Sequence, residues 1–501
     1  MRRPVKVALI NPNLVVQCND PFTTGIIYMP IGLAYVAASL RARGLEVGVI
    51  DAYAERPKQI HLQGEFYIYG LKPEEIADRI SQATAVFIYA NSLTNHISIV
   101  GITQGLKKRH PDLPVVILEN TQAVTAYALQ PVAQEFYSAG ADFILTGEGE
   151  LRAFRLAQLL AERASPETLR TLDGLGAPDF YTPPLEPITD LNSLPFPAWD
   201  LFPLKNYWSI KHAHGPFETD RYLPLLTSRG CPYPCRFCVV PETNRRTWRP
   251  RSARSIAEEM QWCAERWGVK EFHLEDLNPT ISDKRTRELC DEILRRGLTV
   301  TWKIVAGTKV ESILNEDTVD RMARAGCRYI SISPESGSER ILKLMDKPFD
   351  LRHAVRMVRK MSRVRIRSQA CFVLGFPGET RQERRMSWDL VRELTKVGVD
   401  EIALFIITPV PGSAIYKQFH GFRNLSQLNF SPTWRPDYPE LSHFRMRLYR
   451  NFLLWKLLHH PFKLLCQPWN FLFRRFQTKM EMAPYRAWTA TQLGLRARES
   501  A

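Results

Sequence analysis

The chain has 501 residues, 45% of them hydrophobic and 24% charged, a composition typical of globular proteins and not of disordered or fibrous ones. This length predicts two or three domains rather than a single core. The formal net charge of +15 is compatible with a nucleic acid, an anionic membrane surface or an acidic ligand as partner, and it carries no information about the fold.

The sequence has no apolar run long enough to span a membrane, and its N-terminus lacks the pattern of a secretory signal. We therefore expect a cytoplasmic protein and leave peripheral contact with the inner face of the membrane open. Six of the nine cysteines stand singly among apolar neighbours and are predicted to be buried thiols in a reducing compartment: Cys18, Cys263, Cys290, Cys327, Cys371 and Cys466.

The first part of the chain, residues 1–164, alternates strand-like and helix-like segments. The predicted strands are 5–10, 45–50, 85–90, 114–118 and 142–145. The predicted helices are 32–43, 74–84, 97–109, 124–139 and 151–160. This alternation predicts a doubly wound parallel α/β sheet, which would bind a ligand beyond the carboxyl ends of its strands.

Residues 165–220 are rich in proline and are predicted to form a linker whose aromatic residues pack against a neighbouring domain. A second alternating series fills residues 221–423. Its predicted strands are 224–228, 271–275, 301–305, 329–333, 365–374 and 401–407. Six strand–helix units predict a partial TIM-type (β/α)6 barrel, two units short of the usual eight. Ser255 and Glu258 have the spacing of a capping box and predict that a helix begins there.

Three cysteines are crowded into eight residues directly after the first strand of this second series. They stand in the sequence Thr227-Ser-Arg-Gly-Cys231-Pro-Tyr-Pro-Cys235-Arg-Phe-Cys238. Three thiolates would leave one iron of a four-iron cluster without a protein ligand. A zinc site would need a fourth ligand, and the sequence offers no matching pair nearby. Iron–sulfur ligation is therefore the favoured interpretation, and a chance cluster is the alternative.

The spacing C-x3-C-x2-C at this position resembles that of the radical S-adenosylmethionine (SAM) superfamily. The resemblance implies that Cys231, Cys235 and Cys238 hold a 4Fe-4S cluster whose open iron binds SAM. It also implies reductive cleavage of SAM to a 5′-deoxyadenosyl radical, with the electron supplied by an external donor such as flavodoxin or ferredoxin. Residues at the family's SAM-contacting positions are Phe237, Glu275, Asp276, Glu335, Ser336, Gly375, Pro377, Gly378 and Thr408.

Motifs in the first part of the chain resemble those of the cobalamin-binding members of this superfamily. They are Asn11-Pro-Asn13, the run of residues 30–40 and Gly147-Glu-Gly-Glu150, and the resemblance spans roughly residues 5–415. It implies a Rossmann-like domain that grips cobalamin over its strand ends. The contacts it implies lie after the strands: Asn11, Asn91, Ser92, Leu93, Thr94, Glu119, Asn120, Thr121, Gly147 and Glu148.

The corrinoid motif D-x-H-x-x-G, whose histidine ligates cobalt, does not occur in the sequence. His96 is the nearest candidate and lacks the spacing, so we expect a cobalt without a protein nitrogen ligand. Residues 119–121 also replace the glycine-rich turn that the family carries after its fourth strand.

The last region, 424–501, is predicted to be mainly helical, with a helix at 442–458. Residues 441–480 carry eight Lys or Arg and no Asp or Glu, interleaved with aromatic residues. Because burying an unpaired charge is costly, we expect all eight to face solvent, lipid headgroups or an anionic ligand. Three interpretations stay open: a helical cap on the barrel, an interfacial segment on anionic lipid, and an RNA-binding surface. RNA ranks last, and we expect no nucleic acid partner.

Three functions fit these observations. The first is a cobalamin-dependent radical SAM methyltransferase that acts on an unactivated carbon of a small, hydrophobic or lipid-like biosynthetic intermediate. The second keeps the cofactors but performs a cyclisation, rearrangement or oxidation. The third is a non-catalytic cobalamin or redox sensor. The sequence does not identify the substrate, the substrate-side catalytic residues or the oligomeric state.

Overall fold

A computed structural model describes residues 5–18 and 25–499, with the backbone alone over 490–499. The strands are β1 (Lys6–Asn11), β2 (Leu14–Gln17), β3 (Glu46–Asp51), β4 (Ile60–Gln63), β5 (Phe66–Tyr69), β6 (Ala85–Ala90), β7 (Val115–Glu119), β8 (Phe143–Leu145), β9 (Leu175–Ala177), β10 (Phe180–Tyr181), β11 (Tyr222–Leu225), β12 (Ser228–Arg229), β13 (Arg249–Pro250), β14 (Glu271–Leu274), β15 (Thr301–Thr308), β16 (Cys327–Glu335), β17 (Arg367–Leu374) and β18 (Glu401–Ile406).

The α-helices are α1 (Ile31–Ala42), α2 (Pro73–Asp78), α3 (His96–Arg109), α4 (Ala133–Ser138), α5 (Gly149–Ala161), α6 (Pro166–Leu169), α7 (Leu204–Ile210), α8 (Val240–Thr243), α9 (Ala253–Trp267), α10 (Asp283–Arg295), α11 (Glu316–Arg324), α12 (Glu339–Leu344), α13 (Leu351–Arg363), α14 (Arg381–Val397), α15 (Tyr438–His459), α16 (Phe462–Leu465), α17 (Gln467–Phe473) and α18 (Lys479–Glu499).

The first sheet runs in the order β10-β9-β8-β7-β6-β1-β3 within the described residues. Strands β3, β1, β6, β7 and β8 pair in parallel, whereas β9 and β10 add in antiparallel fashion. Alternate residues of β1 face opposite layers: Leu9 packs with α1 and α5, and Ile10 packs with α2, α3 and α4. The predicted doubly wound parallel sheet is confirmed, and its carboxyl edge carries the loops after each parallel strand.

The second sheet runs in the order β11-β14-β15-β16-β17-β18, and each of its pairings is parallel. Helices α9, α10, α11, α13 and α14 cover its outer face and share one hydrophobic core with residues such as Phe272, Ile304 and Ile330. The predicted (β/α)6 barrel is confirmed. All six strands end at the same rim, where active sites of such barrels lie.

The interior of the barrel is polar, unlike the aliphatic layers common in closed barrels. Glu271, His273, Lys303, Tyr329 and Glu401 are buried there. The Lys303 ammonium lies 2.8 Å from Glu271 and donates to the carbonyl of Pro216, and His273 Nε2 lies 2.9 Å from the same carboxylate. Because these charges pair with one another, the barrel avoids the cost of unpaired buried ions.

Two segments outside the sheet fill the inside of this incomplete barrel. Phe476 donates its backbone N–H to the carbonyl of Phe217, so the linker and the C-terminal region meet there. Met480 N–H then donates to Glu401, and the Lys479 ammonium donates to the carbonyl of Val305. The two segments therefore supply contacts inside a barrel that has only six strands.

Several sequence-based expectations need correction. The predicted helix 124–139 is wrong in its first half, because Pro131 interrupts it and α4 begins at Ala133. Helix α9 begins at Ala253, since Ser252, not Ser255, accepts the capping bond from the backbone. The antiparallel β2-β5-β4 sheet was not predicted. Strands β9 and β10 place part of the predicted linker in the first sheet.

Four of the six scattered cysteines are buried as expected, but Cys18 is partly exposed and Cys466 is exposed. The helical character predicted for the C-terminal region is confirmed by α15 to α18. None of the helices in the described part of the chain combines the length and hydropathy that crossing a bilayer requires. The domain bounds 1–164, 165–220, 221–423 and 424–501 stay predictions, and residues 1–4, 19–24 and 500–501 lie outside the described chain.

Replacing Lys303 with Met should destabilise the barrel by about 3–5 kcal/mol, because it leaves Glu271 as a buried charge without its main partner. Burial alone raises the pKa of Glu271, but Lys303 and His273 outweigh it and hold this pKa at about 2. The ion pair therefore stabilises the fold fully at pH values above 4.5, the ordinary pKa of a glutamate. This stabilisation is lost as the pH falls toward 2.

Urea denaturation at neutral pH measures this cost. The double variant Lys303→Met, Glu271→Gln is the matched control and should recover most of the lost stability, since it removes both charges. Equal midpoints for Lys303→Met and the unmodified chain would contradict the assignment.

Candidate functional site

The cysteine loop, residues 231–238, lies at the rim of the barrel directly after β12. Strands β12 and β13 pair antiparallel and close the base of this loop, with Arg229 opposite Arg249. Gly230 has φ +78°, and a Cβ at this position would lie 1.9 Å from the carbonyl oxygen of Thr247. Only glycine therefore fits at the entrance to the loop.

The three thiols of the loop lie close enough to influence one another. Burial raises the pKa of Cys231, raises that of Cys235 to about 11 and raises that of Cys238 to about 12, and the neighbouring thiols add to the rise for Cys235 and Cys238. Metal binding would displace these protons, since the thiolate is the ligand.

Among the described residues, no three His, Cys, Asp or Glu side chains converge on one metal ion. A 4Fe-4S cluster does not need such convergence, because each thiolate binds a different iron. Three thiols spread along one short loop at the rim fit this donor set, and they fit a single zinc ion poorly.

Two lysines, which the sequence analysis did not select, face the cysteine loop. Lys347 Nζ lies 2.5 Å from Glu335 and 5.8 Å from the ring centroid of Phe237, and Lys309 Nζ lies 4.5 Å from that of Tyr233. The positive charge of Lys347 favours the thiolate forms of Cys231 and Cys235. Both ammonium groups are placed to stabilise a negatively charged cluster.

Glu335 lies at the end of β16 in the left-handed region, with φ +62°. This conformation is rare for a residue other than glycine and is often found at functional sites. This conformation is consistent with the predicted role of Glu335 in SAM binding, which stays a prediction. A sequence signal for Lys347 exists, because Asp346-Lys347-Pro348 lies between helices α12 and α13 and therefore in a loop near the rim.

The two predicted acidic SAM contacts have different surroundings. Both carboxylate oxygens of Asp276 accept hydrogen bonds from the backbone N–H of Thr227, at 3.1 and 3.0 Å, and Oδ1 also accepts from the hydroxyls of Thr227 and Ser228. Asp276 thus fixes the strand that leads to the cysteines. Glu275 accepts a 2.7 Å bond from His214 Nδ1 and remains partly exposed inside the barrel. Of the two, Glu275 is the better placed to meet a ligand.

The other predicted SAM residues lie at the same rim, after β16, β17 and β18. Ser336 is fully buried, and its hydroxyl accepts a 3.1 Å bond from the backbone of Ser338. Gly375 and Gly378 both have positive φ, so the turn that also contains Pro377 needs glycine at these two positions. Thr408 follows β18 and is nearly buried. The structure brings these residues to one rim, and their contact with SAM stays a prediction.

The predicted cobalamin contacts lie along the carboxyl edge of the first sheet. Asn11 donates to Asp51, Asn91 donates to Asn11, and Asn120 donates to the carbonyl of Asn91, each at 2.8–3.0 Å. The hydroxyls of Ser92 and Thr94 lie 3.0 Å apart, and Leu93 is buried beside them. This amide- and hydroxyl-lined edge offers neutral hydrogen-bonding groups, which fit a corrinoid held by pocket shape and loop contacts.

Glu119, Gly147 and Glu148 close the same edge after β7 and β8. Glu119 accepts backbone bonds from Leu129 and Gly147, and burial raises its pKa to about 7. Glu148 is engaged by arginines of the barrel domain. These bonds give both carboxylates structural partners, while their predicted contact with cobalamin stays untested.

His96 is buried with both ring nitrogens engaged. Nδ1 lies 3.0 Å from the hydroxyl of Tyr127, and Nε2 lies 2.9 Å from a carboxylate oxygen of Glu135. A ligand to cobalt would need one of these nitrogens free. This geometry supports the expectation that His96 does not ligate cobalt.

The carboxyl edge of the first sheet faces the rim of the barrel. Asn244, shortly after the last cysteine, donates a 2.9 Å bond to the carbonyl of Thr121, and Ala128 N–H donates to the carbonyl of Pro411. The predicted cobalamin contacts and the cysteine loop therefore meet at one interface, which neither domain forms alone.

Comparisons with known proteins agree with this arrangement. Residues 225–391 match the family described as the Radical SAM superfamily. Cytidylyl-2-hydroxyethylphosphonate methyltransferase of Streptomyces wedmorensis is 27% identical over 83% of this chain and 82% of its own length. Anaerobic magnesium-protoporphyrin IX monomethyl ester cyclase of Rubrivivax gelatinosus is 25% identical over 86% and 75%.

Solved structures share the fold. The radical SAM methyltransferase TsrM of Kitasatospora setae superposes with a TM-score of 0.62 at 19% identity, covering 84% of this chain and 77% of TsrM. The cobalamin-dependent radical SAM enzyme OxsB gives a TM-score of 0.61 at 18% identity, over 89% of this chain and 56% of OxsB. Residues 225–391 therefore form a radical SAM domain, and the chain shares its two-domain fold with cobalamin-dependent radical SAM enzymes.

Proposed function

We propose that this enzyme methylates an unactivated carbon of a small hydrophobic or biosynthetic intermediate. The observation that carries the proposal is the interface at which the cysteine loop meets the carboxyl edge of the first sheet, through Asn244 and Thr121. A reduced 4Fe-4S cluster and cobalamin bound there would supply reductive SAM cleavage and methyl carriage, respectively. The chain's own residues orient these groups and the substrate and exclude water.

The net reaction replaces one substrate hydrogen by a methyl group. The deoxyadenosyl fragment of one SAM leaves with the hydrogen as 5′-deoxyadenosine, and a second SAM supplies the methyl group and becomes S-adenosylhomocysteine. The remaining fragment of the first SAM leaves as methionine. The net reaction consumes two electrons, one for SAM cleavage and one to reload the methyl carrier, and an external flavodoxin or ferredoxin would provide both. Inside the barrel, Glu275, Ser333, Ala403, Phe405 and Lys479 remain partly exposed, and this mixed polar and aromatic lining suits a small organic substrate.

A second function keeps the cofactors without methyl transfer. It is favoured by the similarity to the magnesium-protoporphyrin IX monomethyl ester cyclases, which extends over most of this chain. A cyclisation, rearrangement or oxidation would consume SAM and release 5′-deoxyadenosine without a methylated product. A non-catalytic sensor, in contrast, would release none.

Anaerobic reconstitution should load about four irons per chain, and the triple change of Cys231, Cys235 and Cys238 to Ala should abolish this loading, because it removes all three thiols of the cysteine loop. Iron analysis and the absorbance of the cluster provide the measurement. Cys263→Ala and Cys371→Ala are matched controls at buried positions and should keep full iron content. A triple variant that retains its cluster and cleaves SAM would refute the assignment.

Trideuteromethyl-SAM should label the product if the enzyme is a methyltransferase. Reduced, cobalamin-loaded enzyme incubated with a metabolite extract from cells that lack the gene should form a product in which one trideuteromethyl group replaces one hydrogen. Mass spectrometry should also detect 5′-deoxyadenosine and S-adenosylhomocysteine in equal amounts. Deoxyadenosine with no labelled product would favour the second function, and the absence of both from active, loaded protein would favour a sensor.

We further propose that the C-terminal region contacts an anionic membrane from the cytoplasmic side. Helices α16 and α17 expose large apolar side chains, with Phe462 79% and Trp469 63% accessible. Exposed apolar residues continue through the end of α15 and along this segment: Leu453, Leu454, Leu457, Leu458, Leu465, Phe471, Leu472 and Phe473. Apolar patches of this kind mark interaction surfaces, and Trp and Phe suit the lipid interface.

The basic residues divide into two groups, which corrects the expectation that all eight face outward. Four are held by the protein, namely Arg445, Lys456, Lys463 and Lys479, through backbone carbonyls or the carboxylate of Asp400. The other four are exposed: Arg447, Arg450, Arg474 and Arg475. With no acidic residue in 441–480, these four complement anionic headgroups, each contributing about 1 kcal/mol near the surface.

Replacing Phe462, Trp469 and Phe473 together with Ser should abolish sedimentation of the full chain with anionic liposomes. The matched control changes three exposed leucines elsewhere on the surface, Leu62, Leu185 and Leu314, to Ser and should bind normally.

Binding of the unmodified chain should be weaker to neutral liposomes and should fall with added salt. The reason is that salt screens the attraction between the arginines and the anionic headgroups, over about 8 Å at physiological ionic strength. Equal recovery of both triple variants with anionic liposomes would contradict the membrane proposal. Truncation before α15 is unsuitable as a test, because it removes Lys456 and Lys479 from the barrel.

A further inference from the structure

The cysteine loop is tied at both ends to the first domain. Before the loop, Arg229 Nη2 lies 2.6 Å from Glu150, and its Nη1 lies 3.2 Å from Glu148. After the loop, Asn244 donates to the carbonyl of Thr121. The three first-domain residues belong to the loops or helix that follow β7 and β8, which also carry predicted cobalamin contacts.

Glu148 is the centre of this arrangement. Arg249 binds it in a bidentate manner, with nitrogen–oxygen distances of 2.9 and 3.0 Å, and the backbone N–H of Ile188 adds a 2.6 Å bond. Arg229 and Arg249 are paired across the β12–β13 ladder, so one carboxylate holds both strands at the base of the cysteine loop. The three side chains are buried. Without the carboxylate of Glu148, the two buried guanidinium groups would lose the negative charge that balances their positive charges.

We infer that Glu148, assisted by Asn244, is a positioning residue that couples cobalamin binding to assembly of the 4Fe-4S cluster. A corrinoid that orders the loops after β7 and β8 also fixes both ends of the cysteine loop. Cluster assembly orders the same elements from the other side. The first cofactor therefore lowers the free-energy cost of ordering these loops for the second. Each cofactor strengthens binding of the other by the same factor.

The inference rests on the proposed cofactor sites. Its test distinguishes a failure of the coupling from a failure of the proposed function. Hydroxocobalamin binding is measured by equilibrium dialysis under anaerobic conditions, with full-length protein either free of iron or carrying the reconstituted cluster. The unmodified chain should bind hydroxocobalamin about fivefold or more tightly once the cluster is present, at the lower end of common coupling factors. In Glu148→Gln this ratio should fall toward one.

A matched control removes two other buried hydrogen bonds between the two domains. The hydroxyl of Tyr35 in α1 donates to Glu259 and accepts from Arg251, and its ring lies 5.2 Å from the Arg229 guanidinium carbon. Tyr35→Phe deletes both hydrogen bonds but keeps the ring and the Glu148 contacts. Tyr35→Phe should lower the melting temperature and preserve the coupling ratio. If Glu148 had only a structural role, Glu148→Gln would behave in the same way as Tyr35→Phe.

Hydrogen exchange gives a second readout that does not need the cluster. In iron-free protein, hydroxocobalamin should slow amide exchange in residues 226–250 of the unmodified chain and of Tyr35→Phe, but much less in Glu148→Gln. Asn244→Ala should show an intermediate loss and serves if Glu148→Gln does not fold.

Each remaining outcome is decisive. A ratio near one in the unmodified chain, or an unchanged ratio in both Glu148→Gln and Asn244→Ala, would overturn the coupling while leaving the proposed function intact. Failure of the unmodified chain to bind either cofactor would refute the proposed function itself.

Discussion

The contact on which this structure depends is the buried carboxylate of Glu148 between Arg229 and Arg249. It joins the carboxyl edge of one parallel sheet to the rim of another, so the functional ends of two α/β domains face each other across one interface. Parallel sheets present their loops at a single edge, and a reaction that needs two large cofactors can use both edges only if they are fixed face to face. Glu150, Asn244 and Thr121 extend the same junction.

The polar interior of the barrel follows from its incompleteness. Six strands leave an opening that the linker and the C-terminal region enter, and both bring polar backbone groups with them. The carbonyl of Pro216 in the linker accepts from Lys303, and the backbone N–H of Met480 in the C-terminal region donates to Glu401. The C-terminal region therefore belongs to the barrel as much as to the surface. Its exposed apolar helices project from a base that Lys456 and Lys479 attach to backbone carbonyls of the barrel.

Much of the fold could be predicted from the sequence because its strands are short apolar runs with clear ends. The predicted strand 85–90 coincides with β6, and the cysteine spacing indicated its own chemistry. Contacts between distant residues could not be predicted, since Arg229 and Glu148 are 81 positions apart and neither sequence motif indicates that the two side chains pair. For the same reason Lys456, which donates to the carbonyl of Asp400, was expected on the surface.

The central claim is that cobalamin and the cluster occupy one interface, and electron paramagnetic resonance tests it most directly. Cobalamin in its cobalt(II) state and the reduced 4Fe-4S cluster are both paramagnetic. Protein loaded with both should give signals broadened or split by magnetic interaction between the two centres, compared with protein loaded with either alone. A spectrum equal to the sum of the two singly loaded forms would contradict the account.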